Sequence, residues 1–110
     1  MEKVAKYWKG EEGYETIYTD NAFCTYEYGD GEFYISNFYV EDRTNGKSYA
    51  FFNTVKEKAI ALGATRLTAN IHMNEANADS YTRKVMTQLK HGFKILKVDT
   101  DRITVIYELR

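Results

Sequence analysis

Cysteine occurs once, at Cys24, so no internal disulfide framework can form. With only two histidines, widely spaced, the chain has no convincing zinc-ligand set. No apolar run approaches the roughly 18 residues of a membrane span, and Met1 to Tyr7 is charged and lacks the apolar core of a signal peptide. No Asn-x-Ser/Thr acceptor occurs. Neither sign of charge prevails: Lys and Arg number 15 against 16 Asp and Glu, a net charge of -1. There is therefore no general pull toward nucleic acid or acidic membranes. Proline is absent while tyrosine occurs 10 times, and neither feature points to a function. These absences predict a soluble, cytoplasmic protein with no nucleic-acid partner and no membrane partner.

What is present is a globular composition, 44% hydrophobic over 110 residues. That predicts a single domain, residues 1–110, with a real core. No repeat, low-complexity tract or linker interrupts it. Val4 to Trp8 reads as a short helix ended by Gly10 or Gly13, and Glu15 to Tyr18 as a short strand. Ala22 to Tyr28 and Phe33 to Val40 read as strands joined at Gly29-Asp30-Gly31, where glycines can take positive φ. A helix is predicted over Ser48 to Leu62, with Ser48 as N-cap and Gly63 as its stop. Its apolar face is Phe51, Phe52, Val55, Ala59 and Leu62, and Lys56, Glu57 and Lys58 face water. Arg66 to Met73 alternates like a strand, with Leu67, Ala69, Ile71 and Met73 on one side and Arg66, Thr68, Asn70 and His72 on the other, polar side. Asn77 to His91 reads as a second long helix with a stripe of Ala78, Tyr81, Val85, Gln88 and Leu89, and Gly92 follows it as a stop. Phe93 to Val98 and Arg102 to Leu109 form a hairpin through Asp99-Thr100-Asp101. The order β-β-β-α-β-α-β-β describes a mixed α+β fold.

The segment Arg43-Thr44-Asn45-Gly46-Lys47-Ser48 joins the aromatic strand Glu32 to Val40 to the first long helix. A glycine turn feeding a helix start aims several N–H groups at one spot, where the helix dipole also favours an anion. Gly46-Lys47-Ser48 invites a P-loop reading. That motif needs a glycine where Glu41 stands, and a carboxylate there repels phosphate.

Residues 22–93 resemble the core of the GCN5-related N-acetyltransferases (GNAT), in which a strand is followed by Arg/Gln-x-x-Gly-x-Gly/Ala at a helix start. Arg43 and Gly46 match, and Ser48 replaces the last small residue. Downstream, Asn74 and Tyr81 match an Asn-x-x-Ala-x-x-x-Tyr pattern with Asn77 in place of alanine, and Gly92-Phe93 matches its end. The resemblance implies a mostly antiparallel central sheet whose central strands splay apart, with two main helices and a shortened N-terminal part. It implies acetyl-CoA as cofactor. The diphosphate would be held by Arg43 and the main chain of Asn45, Gly46, Lys47, Ser48 and Tyr49. The pantetheine arm would run along Phe38, Tyr39 and Val40, with Asn74 and Asn77 contacting its amides. Tyr81 would be the general acid. Counting back from Gly92 instead places Gln88 at the tyrosine position, 7 residues or two helical turns beyond Tyr81.

Acyl transfer to an amine requires the neutral amine. Deprotonating a free lysine at pH 7 costs roughly 4.6 kcal/mol, which a positioned base can carry. His72, on the polar side of a strand end, is the candidate base, with a surface histidine as the plain alternative. Tyr81 can equally pack its ring on the sheet. Asn74 and Asn77 can simply cap the second helix, and Arg43 can pair with Glu41 or Asp42. Glu27, Glu32, His91 and Cys24 receive no catalytic role. The function expected is an acyl-CoA-dependent N-acetyltransferase acting on a primary amine of a protein or a small molecule. The alternative is a non-catalytic relative, phage-encoded, that binds and modulates a host protein, since tyrosine is a common interface anchor. Aromatic strands stacking nucleic-acid bases are disfavoured by the neutral charge. The truncated wall of the acceptor site predicts a homodimer.

Overall fold

The computed structural model describes residues 1–41, 46–73 and 78–109. Helix α1 (Glu2–Tyr7) runs into a wider π turn over Trp8–Glu12, which left-handed Gly13 ends. Strands β1 (Glu15–Tyr18), β2 (Ala22–Gly29) and β3 (Glu32–Val40) follow, then helix α2 (Lys47–Leu62), strand β4 (Arg66–His72), helix α3 (Ala78–Lys90) and the hairpin β5 (Lys94–Val98) and β6 (Arg102–Glu108). The six strands form one sheet in the order β1-β2-β3-β4-β6-β5. All neighbouring pairs are antiparallel except β3 with β4. This is the mixed α+β fold that the element order predicts.

Local chemistry explains most boundaries. Asp30 and Gly31 take φ of 51° and 75°, so the β2–β3 connection is a two-residue turn that suits strand twist. Helix α2 stops at Gly63, where Gly63 N–H reaches Ile60 O and Ala64 N–H reaches Ala59 O. Helix α3 ends in the same way at Gly92. Phe51, Phe52, Val55 and Ala59 of α2 are buried against Phe33, Leu67 and Val105 of the sheet, the last three wholly so. Tyr81 and Val85 of α3 pack on this core from the same side.

Four expectations need correction. Ser48 is not the N-cap: Gly46 occupies that position at φ 73°, and the helix begins at Lys47 with Ser48 turned inward. Lys56 is not simply solvated, because its ammonium lies 5.2 Å from the ring centroids of both Phe52 and Tyr107. Leu62 and Leu89 belong to no buried stripe and are 37% and 44% exposed. Thr68, assigned to the polar side of β4, is buried. Among the described residues no helix is long and apolar enough to cross a membrane.

Candidate functional site

Strands β3 and β4 pair in parallel only from Glu32/Arg66 to Ile35/Ala69. Beyond that point β3 stays with β2, as far as Val40 opposite Ala22. β4 stays with β6, as far as His72 opposite Arg102. The two strands therefore diverge. A β-bulge explains the departure: Thr25 and Tyr26 are consecutive, yet they face Asn37 and Ile35, so Ser36 is an extra residue that bends β3. Side chains lock the bend. Thr25 Oγ1 lies 2.5 Å from Ser36 Oγ and accepts from Asn37 Nδ2 at 2.8 Å.

Between the diverging strands lies a cavity of about 370 Å³, within the roughly 300–1,000 Å³ range of small-molecule sites. Ile35 to Phe38 form one wall and Ala69 to His72 the other. The α3 side chains Lys84, Thr87 and Gln88 close the helix side together with His91. No described residue lining the cavity is a carboxylate, whereas a lysine and two histidines are present. That balance suits an anionic ligand.

One end of the cavity is built where the two long helices meet. His91, just past α3, sets its ring 4.4 Å from that of Tyr49 and 4.9 Å from that of Phe52, with Nε2 at 3.3 Å from Ser48 Oγ. Nearby, Gly46 holds its left-handed conformation in open space: a Cβ there would meet nothing within 4 Å. Helix α2 carries no acid in its first turn, where its dipole favours an anion. His72 stands exposed at the end of β4 beside the β5–β6 turn, where Met73 N–H bonds Asp101 O at 2.8 Å. The Asp101 carboxyl is held below its usual range, first by the hydrogen bond from Arg102 and to a smaller degree by His72.

The expected site residues are distributed unevenly. Phe38 and His72 line the cavity. Gly46, Lys47, Ser48 and Tyr49 lie at the start of α2. The Tyr39 ring packs at 5.5 Å and a 31° tilt against that of Phe23, and Val40 is in the core, so each would meet a ligand by main chain. Tyr81 is partly buried against the core, and Gln88, two turns later, lines the cavity instead. Arg43, Asn45, Asn74 and Asn77 lie outside the described residues. Lys84 and Thr87 were not expected at the site, and His91, given no catalytic role from the sequence, lines the cavity as well. Their signal was present, because positions 84, 87, 88 and 91 recur at helical spacing as a polar stripe beside the apolar one. Cys24 is wholly buried, and burial pushes its thiol far above the ordinary range, so it is no nucleophile.

No protein-family model and no curated protein sequence matches the chain. Solved structures do. Nourseothricin acetyltransferase superposes with a TM-score of 0.66 at 17% identity, over 86% of this chain and 64% of that one. A GNAT family acetyltransferase from Elizabethkingia anophelis with acetyl-CoA bound gives 0.69 at 16% identity, over 98% of this chain and 82% of that one. The anti-CRISPR protein AcrVA5 gives 0.64 at 15% identity, over 83% of this chain and 96% of that one. This chain thus spans just under two-thirds of the first enzyme's length but nearly all of AcrVA5's. The split sheet, the helix that starts at a left-handed glycine and these superpositions together give the chain the fold of the GCN5-related N-acetyltransferases.

Proposed function

We propose that the chain is an acyl-CoA-dependent N-acyltransferase that uses acetyl-CoA and acts on a primary amine of a protein or a small molecule. The observation that carries this reading is the parting of β3 and β4 over a cavity without a described carboxylate, leading to the Gly46 end of α2. The residues present fit the cofactor's chemistry. Main-chain groups of Ser36 to Val40, beyond the seam with β4, offer an edge that a pantetheine arm can join as a strand would. The amides at Gly46 to Tyr49 and the Lys47 ammonium suit the diphosphate.

The bound thioester supplies an activated acyl group. The chain's own residues bind, orient and move protons. His72, at the open end of β4, takes the proton of the incoming ammonium directly or through water. Of the three α3 side chains that line the cavity, Gln88 stands two turns beyond Tyr81 in the alternative register, and its amide can donate a hydrogen bond but not a proton. A thiol of pKa near 8.5 leaves as its anion at pH 7 for only about 2 kcal/mol, so such a hydrogen bond suffices. Tyr81, the other candidate acid, packs on the core. Tyr81→Phe is expected to leave kcat unchanged, and a fall beyond about a hundredfold would assign the acid to its hydroxyl.

The test of the whole reading is thermal. Acetyl-CoA should raise Tm, and Gly46→Glu, which sets a carboxylate at the turn, should abolish the rise while the unliganded fold persists. No shift at millimolar cofactor sinks the proposal. A second reading is that of a phage-encoded, non-catalytic binder that modulates a host protein. It rests on the missing cavity tyrosine and on the near-complete overlap with an anti-CRISPR protein. A stoichiometric host partner retained without any coenzyme, together with the absent Tm shift, would favour it.

A further inference from the structure

We propose that two copies of the chain join antiparallel along the outer edge of β5, so that the six strands of each copy run into one sheet. Strand β5 is last in the sheet order, so its outer main-chain groups have no strand partner among the described residues. All five of its residues are exposed, among them Ile95 at 48%, Leu96 at 57% and Val98 at 63%. Met86 and Leu89 of α3, which packs beside β5, are exposed as well. An open edge with this much apolar surface is a template for another strand. The opposite edge, β1, differs: it has four residues, packs beside α1, and has Glu15 paired with Lys9.

The segment is complementary to itself. Leu96 is the extra residue of a bulge, so Ile95 and Val98 face Val105 and Ile103 and lie on one side of the sheet. A two-fold axis between Leu96 and Lys97 sets Ile95 opposite Val98 of the second copy. The same register sets Lys94 opposite Asp99 of the second copy, once on each side of the axis. Lysines on an edge ordinarily repel an added strand. Here Lys97 already meets Asp99 of its own chain at 3.4 Å, and the two-fold register gives Lys94 a carboxylate too. The register also sets Leu96 opposite Lys97, whose methylene stem can cover it; the apolar match of Ile95 with Val98 and the ion pair of Lys94 with Asp99 identify the occupant as a second copy, in an isologous contact.

Sedimentation velocity on the full chain tests this, and no acyl-CoA enters the measurement, so its failure leaves the transferase reading untouched. The wild type should sediment as a dimer of the 12.8 kDa chain. Lys94→Glu and Val98→Glu, both on exposed side chains, should each weaken association at least tenfold. Lys94→Glu combined with Asp99→Lys should restore it. Far-UV circular dichroism checks that each variant is folded. A wild type that stays monomeric, alone or with a different protein on β5, overturns the proposal. So does a dimer that both single variants leave intact, or a folded charge-swapped double variant that remains monomeric.

Discussion

Cys24 sits in the sheet between Ile17 and Phe38, with no exposed surface. Burial raises its thiol pKa, and Tyr26 is raised too, first by burial and then by Glu15 and Cys24. Groups raised in the folded state cost nothing while both states keep the proton. Above about pH 8.5 the unfolded chain releases the thiol proton and the folded chain does not, so stability falls as pH rises. The urea midpoint should therefore drop between about pH 8 and about pH 10, and Cys24→Ala should flatten that drop while lowering the midpoint at neutral pH through the cavity it leaves. A thiol reagent should find Cys24 silent until the chain unfolds, and rapid labelling of the native protein would contradict the burial argument. The same scale shows why Ser48 misleads as a cap. Its identity fits the role, but the helix starts one residue earlier, and the hydroxyl faces His91, a partner 43 positions away.

Helix α3 ends abruptly because Gly92 turns left-handed at φ 101°, with Phe93 N–H bonded to Gln88 O and Gly92 N–H to Leu89 O. The turn is tight as well as left-handed: a Cβ on Gly92 would stand 2.9 Å from Tyr107 Cε2. Tyr107 also packs its ring edge-on to Phe52 and Phe93, so it has little room to give. Gly92→Ala should cost about 2–4 kcal/mol, read as a lower denaturant midpoint at an unchanged slope. A loss below about 0.5 kcal/mol would show that the ring moves aside freely. Elements of this kind were legible in the sequence. Glycine stops, the Asp30-Gly31 turn and the two-period alternation of β4 are written in adjacent residues. The bulge at Ser36 and the exposure of β5 were not, because each depends on which strand lies alongside. The cavity was expected only through family resemblance, and the sequence left Tyr81 and Gln88 as alternatives on α3 because a seven-residue shift on a helix keeps the same face.

At the scale of the molecule, the sheet is two three-stranded halves, β1-β2-β3 and β4-β6-β5, joined by the short parallel seam of β3 with β4. Past Ile35, every second amide of β3 points away from β2 toward the cavity. Those amides should exchange with deuterium faster than the paired ones at Phe33 and Ile35, and acetyl-CoA should slow them selectively. Uniform protection along β3 in the free chain would mean that the strand edge is already satisfied and would remove the docking rail for pantetheine.

The four-pair seam has a mechanical consequence. The molecule resembles a book bound only along the lower part of its spine, with α2 laid across the back. Whatever is slipped between the covers adds stitching where the binding is missing, so an occupant should stiffen parts of both halves that it never touches.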